Sequence, residues 1–202
     1  MTRETPMYLF FDCETTGLPR SRHLSAEDVS GWPRIVQLAW AVYDQDGNPM
    51  DKSAHIVRPE GFIIPPEATR IHGISDARAR EVGEDLAFVL GRFKVALEKA
   101  GIILVAHNLE FDRGIVGAEF IRNRISGPIG DLPGICTMMT TTDICRLPGP
   151  RYGYKWPKLE ELHAFLFGDS YEGPHDAAND VEACARCFFE LVQKRYLTFP
   201  TL

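Results

Sequence analysis

Tyr8-Leu9-Phe10-Phe11-Asp12-Cys13-Glu14-Thr15-Thr16-Gly17 carries an apolar run, long enough for a buried strand, into two carboxylates one residue apart, just ahead of a Gly turn. Side chains at i and i+2 of a strand share a face, so Asp12 and Glu14 are expected to point the same way. Like charges held that close repel each other unless something positive stands between them. A hard divalent cation with oxygen ligands is one answer. A strand end running into solvent, where acids are common, is the other, and a motif this short leaves both open.

Downstream, Pro19 to Pro33 is polar and reads as a long loop of the kind that is often functional. Arg34 to Tyr43 is rich in β-branched and aromatic residues and reads as a strand. Asp46-Gly47-Asn48 is a hairpin-type turn, and the returning strand is expected from Ser53 to Val57. With the first strand this makes an antiparallel meander. Ile63-Ile64-Pro65-Pro66 breaks the chain, and Ile71 to Asp76 reads as a structured loop. Leu86, Val89, Leu90, Phe93 and Leu97 recur at helical spacing, predicting a helix over 84–100 closed by Gly101. Ile102 to Ala106 is a short continuous apolar run, the mark of a strand buried on both faces. A helix from the N-cap Asn108 to about Arg124 follows. A weaker pattern over 131–150 predicts a short helix over 137–145; an amphipathic helix from Leu159 to Phe167 and a last helix over about 176–196 follow.

Two more acidic features lie along this course. In His107-Asn108-Leu109-Glu110-Phe111-Asp112 a buried strand gives way to a helix, and Asp112 falls about one turn inside it. Strand ends and helix starts of an α/β sheet are where ligand sites collect, although an acid there also complements the helix dipole, which accounts for Glu110. His107 is expected to be a satisfied, partly buried side chain. In Pro174-His175-Asp176-Ala177-Ala178-Asn179-Asp180, His175 and Asp180 converge only if His175 sits in the loop ahead of the helix. Gly173-Pro174 permits that arrangement; a helix cap at Asp176 beside an exposed His175 is the other reading.

The chain has 202 residues, 45% hydrophobic and 25% charged, which suits one well-buried domain spanning 1–202. No apolar run approaches membrane-spanning length, and the start lacks a signal-peptide core, so a cytoplasmic protein with no membrane partner is expected. Five scattered cysteines fit reduced thiols, with Cys184 and Cys187 packing in a helix rather than binding zinc. The net charge of −6 advertises no broad basic surface for long duplexes. Arg151-Tyr152-Gly153-Tyr154-Lys155-Trp156-Pro157-Lys158 interleaves cations with aromatics and suits a single strand. The alternative is a solvated connector around one buried Trp.

In this order, the three acidic fragments resemble the motifs of the DnaQ-like family of 3′→5′ exonucleases, in its His-containing DEDD subgroup. Asp12 to Gly17, His107 to Asp112 and His175 to Asp180 match the three motifs, and Ile71-His72-Gly73-Ile74 resembles a recurrent loop of the family. The likeness runs over roughly residues 7 to 192. It implies an α/β fold, a ribonuclease-H-like five-stranded mixed sheet flanked by helices, and hydrolysis of phosphodiester bonds at 3′ ends. It further implies two divalent ions, Mg²⁺ or Mn²⁺, held by Asp12, Glu14, Asp112 and Asp180, with Asp12 bridging them and His175 as general base. Thr15, Thr16, Gly17 and Leu18 would meet the terminal nucleotide, with Asn108, Tyr154, Lys155 and Trp156 as further substrate contacts. Single-stranded DNA is the expected substrate, with an exoribonuclease or a non-catalytic nucleic-acid-binding module as alternatives. A polymerase and a second copy of the chain stand as candidate partners. Only six residues follow Tyr196, so a self-sufficient nuclease without a docking tail is expected.

Overall fold

The computed structural model describes residues 5–21, 23–150 and 152–197. Its central strand is β1 (Met7–Thr15). On one side β2 (Ile35–Tyr43) and then β3 (Pro49–Ile56) run antiparallel to their neighbours; on the other, β4 (Ile102–Ala106) and β5 (Gly134–Cys136) run parallel. The order is β3-β2-β1-β4-β5, the expected five-stranded mixed sheet.

Alternation along β1 builds both layers of the molecule. Leu9, Phe11 and Cys13 face one core, formed with α3 (Leu86–Leu97) and α4 (Leu109–Arg122). Tyr8 and Phe10 face the other, formed with α7 (Leu159–Phe167) and α8 (Ala177–Gln193). The Phe188 ring of α8 lies 4.8 Å from that of Tyr8 and 5.3 Å from that of Phe10. Contacts of this kind add to the area term and fix the helix against the strand. A smaller cluster of Val36, Ile64, Ala68, Ile74 and Ala79 seats α1 (Pro66–His72) and α2 (Asp76–Val82).

Several elements differ from the sequence expectations. The stretch 71–76, expected as a loop, ends α1 and begins α2, two seven-residue helices too short to show a period. β3 starts at Pro49 rather than Ser53, because this edge strand is polar and carries no apolar run. α3 is capped by the Asp85 side chain and closes at Glu98, so Gly101 does not cap it. Gly101 instead turns the chain into β4 at φ 71°, where a Cβ would meet the Thr5 carbonyl oxygen at 2.8 Å. The segment 137–145 forms two four-residue helices, α5 (Thr137–Thr140) and α6 (Thr142–Cys145). α8 covers less than 176–196, with Asp176 as its N-cap.

The Asp46–Asn48 turn is present, with Gly47 at φ 85°. All five cysteines are unpaired, and Cys184 and Cys187 lie buried in the second core. Among the described residues no helix is long and apolar enough to cross a membrane. Arg151 and residues 198–202, most of the segment on which the expectation of a missing docking tail rests, lie outside the described residues.

The long 19–33 loop is folded down onto α4. Trp32 is buried, its indole N–H donating to the Ser25 carbonyl at 3.0 Å, and Arg122 donates to the carbonyls of Trp32 at 2.8 Å and Pro33 at 3.1 Å. Its ring rests on Gly114, where an added Cβ would stand 2.2 Å from a ring carbon. Replacing a mid-helix Gly by Ala ordinarily gains about 1 kcal/mol. Overpacking costs about 1–3 kcal/mol and wins here, so Gly114→Ala is expected to lower the urea midpoint of unfolding; a raised midpoint would show that the loop yields freely.

Candidate active site

β1 outruns its parallel neighbour. Its pairing with β4 ends at Phe10–Val105, while its pairing with β2 continues through Glu14–Gln37. The residues beyond Phe10 therefore emerge at the carboxyl ends of the two central strands, beside the point where the sheet changes from parallel to antiparallel. That is where α/β sheets form crevices. Asp12 and Glu14 continue the face of Tyr8 and Phe10, toward α8, as the period of two requires.

Each carboxylate is held by a different element. The Asp112 side chain accepts the Cys13 N–H at 3.2 Å, a donor that β4 no longer reaches. Asp180, one turn into α8, accepts the Tyr171 hydroxyl at 2.5 Å on Oδ1 and the His175 N–H at 3.3 Å on Oδ2. His175 lies in the loop ahead of α8, at φ 66° in the left-handed region that a non-glycine residue rarely occupies. Ligand atoms of Glu14, His175 and Asp180 all lie within 4.8 Å of one another. So the structure realises the convergent arrangement of the third fragment, and Asp176 caps α8 as well, accepting the Ala178 N–H at 3.0 Å.

The electrostatics of this crowding are severe. Burial, with Asp180 and Asp176 adding to it, raises the pKa of Asp12 to about 8. Burial and the charges of Asp12 and Asp180 raise that of Glu14 to about 9. Asp112 is held well above the carboxylate range by burial and by Asp12, against the opposing Cys13 N–H. Asp180 is raised by burial, although the Tyr171 and His175 bonds act the other way. A buried set of oxygen donors that holds its negative charge this poorly fits a hard divalent cation.

Two neighbouring residues were not legible as site residues. Gln37, paired with Glu14 across β1–β2, donates to Asp176 Oδ2 at 3.3 Å and accepts the Ala177 N–H at 3.0 Å, so it bolts the start of α8 to the sheet beside Glu14. Tyr171 lies outside all three fragments. Sequence offers no sign of either: a buried amide in a strand and a tyrosine in a loop are ordinary until their partners are known.

The other expected positions fall as follows. His107 donates from Nε2 to the Pro157 carbonyl at 2.9 Å, and its Nδ1 lies 3.0 Å from the Thr137 hydroxyl. Burial lowers its pKa to about 4, so it is the satisfied neutral side chain expected. Thr15 and Thr16 flank the site half-exposed, Gly17 has no atom within 4 Å of a built Cβ, and Leu18 is 86% exposed. Asn108 precedes α4 with an exposed amide that caps nothing. Residues 147–150 and 152–155 pair as a small hairpin, with Gly149 N–H on the Gly153 carbonyl at 3.1 Å and Lys155 N–H on the Leu147 carbonyl at 3.0 Å. Tyr152, Tyr154 and Trp156 are exposed, so the connector around a buried Trp is not what forms. The Lys155 ammonium pairs with Glu161 rather than standing free.

Sheet order, flanking helices and the converging carboxylates place this chain in the ribonuclease-H-like class of α/β folds. Escherichia coli exonuclease I in complex with a dA16 oligonucleotide superposes with a TM-score of 0.74 at 23% identity, over 94% of this chain and 41% of the larger one. The chain belongs to the RNase_T exonuclease family, whose model matches residues 9–188. The 3′-5′ exonuclease DinG of Bacillus subtilis is 28% identical over 198 residues, 96% of this chain and 19% of DinG. A PolC-type DNA polymerase III of Lactococcus lactis is 32% identical over 191 residues, 93% of this chain and 10% of the polymerase. The chain thus spans a fifth or less of these two relatives.

The raised carboxyl pKa values carry a sign for stability. Unfolded Asp and Glu titrate near 4; folded Asp12 and Glu14 do so at about 8 and about 9. The native state therefore binds more protons than the unfolded chain between these limits, and stability falls as pH rises through that window. In chelator, the melting temperature is expected to drop between about pH 5 and pH 9, and Asp12→Asn to flatten the drop. A melting temperature that rises over this range would contradict the crowding.

Proposed function

We propose that this chain is a divalent-metal-dependent 3′→5′ exonuclease that hydrolyses the terminal phosphodiester bond of single-stranded DNA, in proofreading or repair in the cytoplasm. The observation that carries the reading is the convergence of Glu14, Asp180 and His175 within 4.8 Å at the ends of the central strands, with Asp112 buried and Asp12 half-buried beside them. Membership of an exonuclease family supports hydrolysis, and the relatives named for 3′-5′ exonuclease and DNA polymerase support polarity and DNA. Exonuclease I structures with dA16 and dT13 support a single strand.

Asp12, Glu14, Asp112 and Asp180 would hold the ions, two Mg²⁺ or Mn²⁺ in this reading. Bound there, such ions neutralise charge on the phosphoryl group and lower the pKa of a coordinated water. The protein supplies the rest. His175 takes the proton from the attacking water, its backbone fixed by Asp180 and its imidazole beside Glu14. Thr15, Thr16 and the open backbone at Gly17 hold the terminal nucleotide, Leu18 meets its base, and the exposed Asn108 amide contacts its sugar-phosphate. Tyr154 and Trp156 offer rings for stacking, and Lys155, on exchanging Glu161 for phosphate, offers charge.

The test is degradation of 5′-labelled DNA and RNA oligonucleotides of one sequence with Mg²⁺, Mn²⁺ or chelator. Stepwise shortening of DNA, lost in chelator, is expected. Asp12→Ala and Asp180→Ala should stay folded and lose nearly all activity; unimpaired cutting by either would refute the assignment. Faster cutting of RNA would make the chain an exoribonuclease, and oligonucleotide binding without cutting would make it a binding module. His175→Ala should lower kcat by about 10²–10⁴-fold, the range of a lost acid–base group. Light scattering, and co-elution with a replicative polymerase, test the two partners, a second copy and a polymerase.

The hairpin generates a separate expectation. Replacing Tyr154 and Trp156 together by Ala should raise KM for single strands about 30-fold or more, as stacked rings are worth about 1–3 kcal/mol per base, and leave kcat nearly unchanged. An unaltered KM would return 147–158 to the role of a connector.

A further inference from the structure

We propose that Tyr171 is a positioning residue of the acidic site: its hydroxyl fixes the Asp180 carboxylate in one orientation and so sets the affinity for the divalent ion. The inference rests on the metal reading above and deepens it, since Tyr171 belongs to none of the three acidic fragments.

An aspartate one turn into a helix is free to turn about its side-chain torsions. Asp180 is not, because both its oxygens are engaged, Oδ1 by the Tyr171 hydroxyl at 2.5 Å and Oδ2 by the His175 N–H at 3.3 Å. One lone pair is left on each oxygen, and the direction in which they face is set by these two donors. A 2.5 Å contact is at the short end of charge-assisted O–H···O bonds, which are about twice as strong as neutral ones.

The hydroxyl is aimed by a built support. The Tyr171 ring packs on the ring of His163 at 5.5 Å between centroids, and His163 packs on Phe167 at 4.6 Å. His163 is buried and its Nδ1 donates to the Asp169 carbonyl at 2.8 Å, so the support reaches from α7 through the turn at Gly168. At the far end of the same loop Asn179 donates to the Gly173 carbonyl at 3.1 Å. Loop 169–175 is thus tied to the first turn of α8 at Asp180 and Asn179, and the left-handed backbone at His175 is held between those ties. A tyrosine that merely filled space would need its ring and not its hydroxyl. Residues that orient metal ligands in this way typically change metal affinity or activity about 10–100-fold when removed.

The experiment is calorimetric titration of Mn²⁺ into the full chain, wild type, Tyr171→Phe and Asp180→Asn, without nucleic acid. Tyr171→Phe keeps the ring on His163, and an unchanged circular dichroism spectrum is expected. Its Mn²⁺ dissociation constant should rise about 10–100-fold. Exonuclease kcat should fall at low Mn²⁺ and recover at excess Mn²⁺, with KM for the oligonucleotide unchanged. Equal Mn²⁺ affinity in Tyr171→Phe and wild type, with binding lost in Asp180→Asn, would overturn this inference alone. Absence of Mn²⁺ binding by the wild type would overturn the metal reading and this inference with it.

Discussion

Burial of four carboxylates at one end of the sheet, with like charges close by, is the constraint around which this molecule is arranged. Desolvation and like charge both oppose ionisation of Asp12, Glu14, Asp112 and Asp180. Nothing in the carboxylates themselves would keep them together. They stay because the elements that carry them are fixed elsewhere, by Phe188 against Tyr8 and Phe10, by Gln37 between β2 and α8, and by the Arg122 contacts that pin the 19–33 loop to α4. The apolar layers hold the strain, and the site concentrates it.

The donors around the cluster are placed one by one rather than as a general positive field. Cys13 N–H serves Asp112, the Tyr171 hydroxyl and His175 N–H serve Asp180, and Gln37 serves Asp176. Hydrogen bonds of this kind orient a carboxylate while leaving its charge uncompensated. In the proposed reading an ion held among these oxygens would supply the compensation that the hydrogen bonds do not, so the resistance of these carboxyls to ionisation and their affinity for a divalent ion would have one origin. In the same reading, a chain with fewer carboxylates here would fold more comfortably and lose the chemistry.

The sheet topology decides where the crowding can occur. Because β4 stops at Ala106, the last residues of β1 have one paired side and one open side, and the open side admits Asp112 from α4. α8 closes the opposite face. The loop before it must bend sharply enough to bring His175 back over Asp180, and the left-handed backbone at Gly173 and His175 makes that bend. Beside the cluster, the exposed Leu18 and the Tyr152–Trp156 hairpin line the approach in the proposed reading, with His107 bonded to Pro157 joining the hairpin to the end of β4.

By itself the sequence determined the elements whose side chains repeat with a clear period and the chemistry held at fixed short spacing. β1, β2, β4, α7 and the bulk of α3, α4 and α8 were legible because each buries a continuous face, and burial writes a pattern into adjacent residues. Asp12, Glu14, Asp112, His175 and Asp180 were legible because each sits within a few residues of a strand end or helix start. Short elements were not: α1, α2, β5 and the early start of β3 have too few buried positions to show a period. Nor were Gln37 and Tyr171, or the tie between Lys155 and Glu161. Those depend on partners that only the fold selects, Gln37 being 139 residues from Asp176. A hydrogen bond made through a loop, as from Tyr171 to Asp180, or across the fold, as from Gln37 to Asp176, leaves no periodic trace in the chain, whereas burial of a face does; that is why the sequence announced the carboxylates and only the tertiary structure showed what holds them.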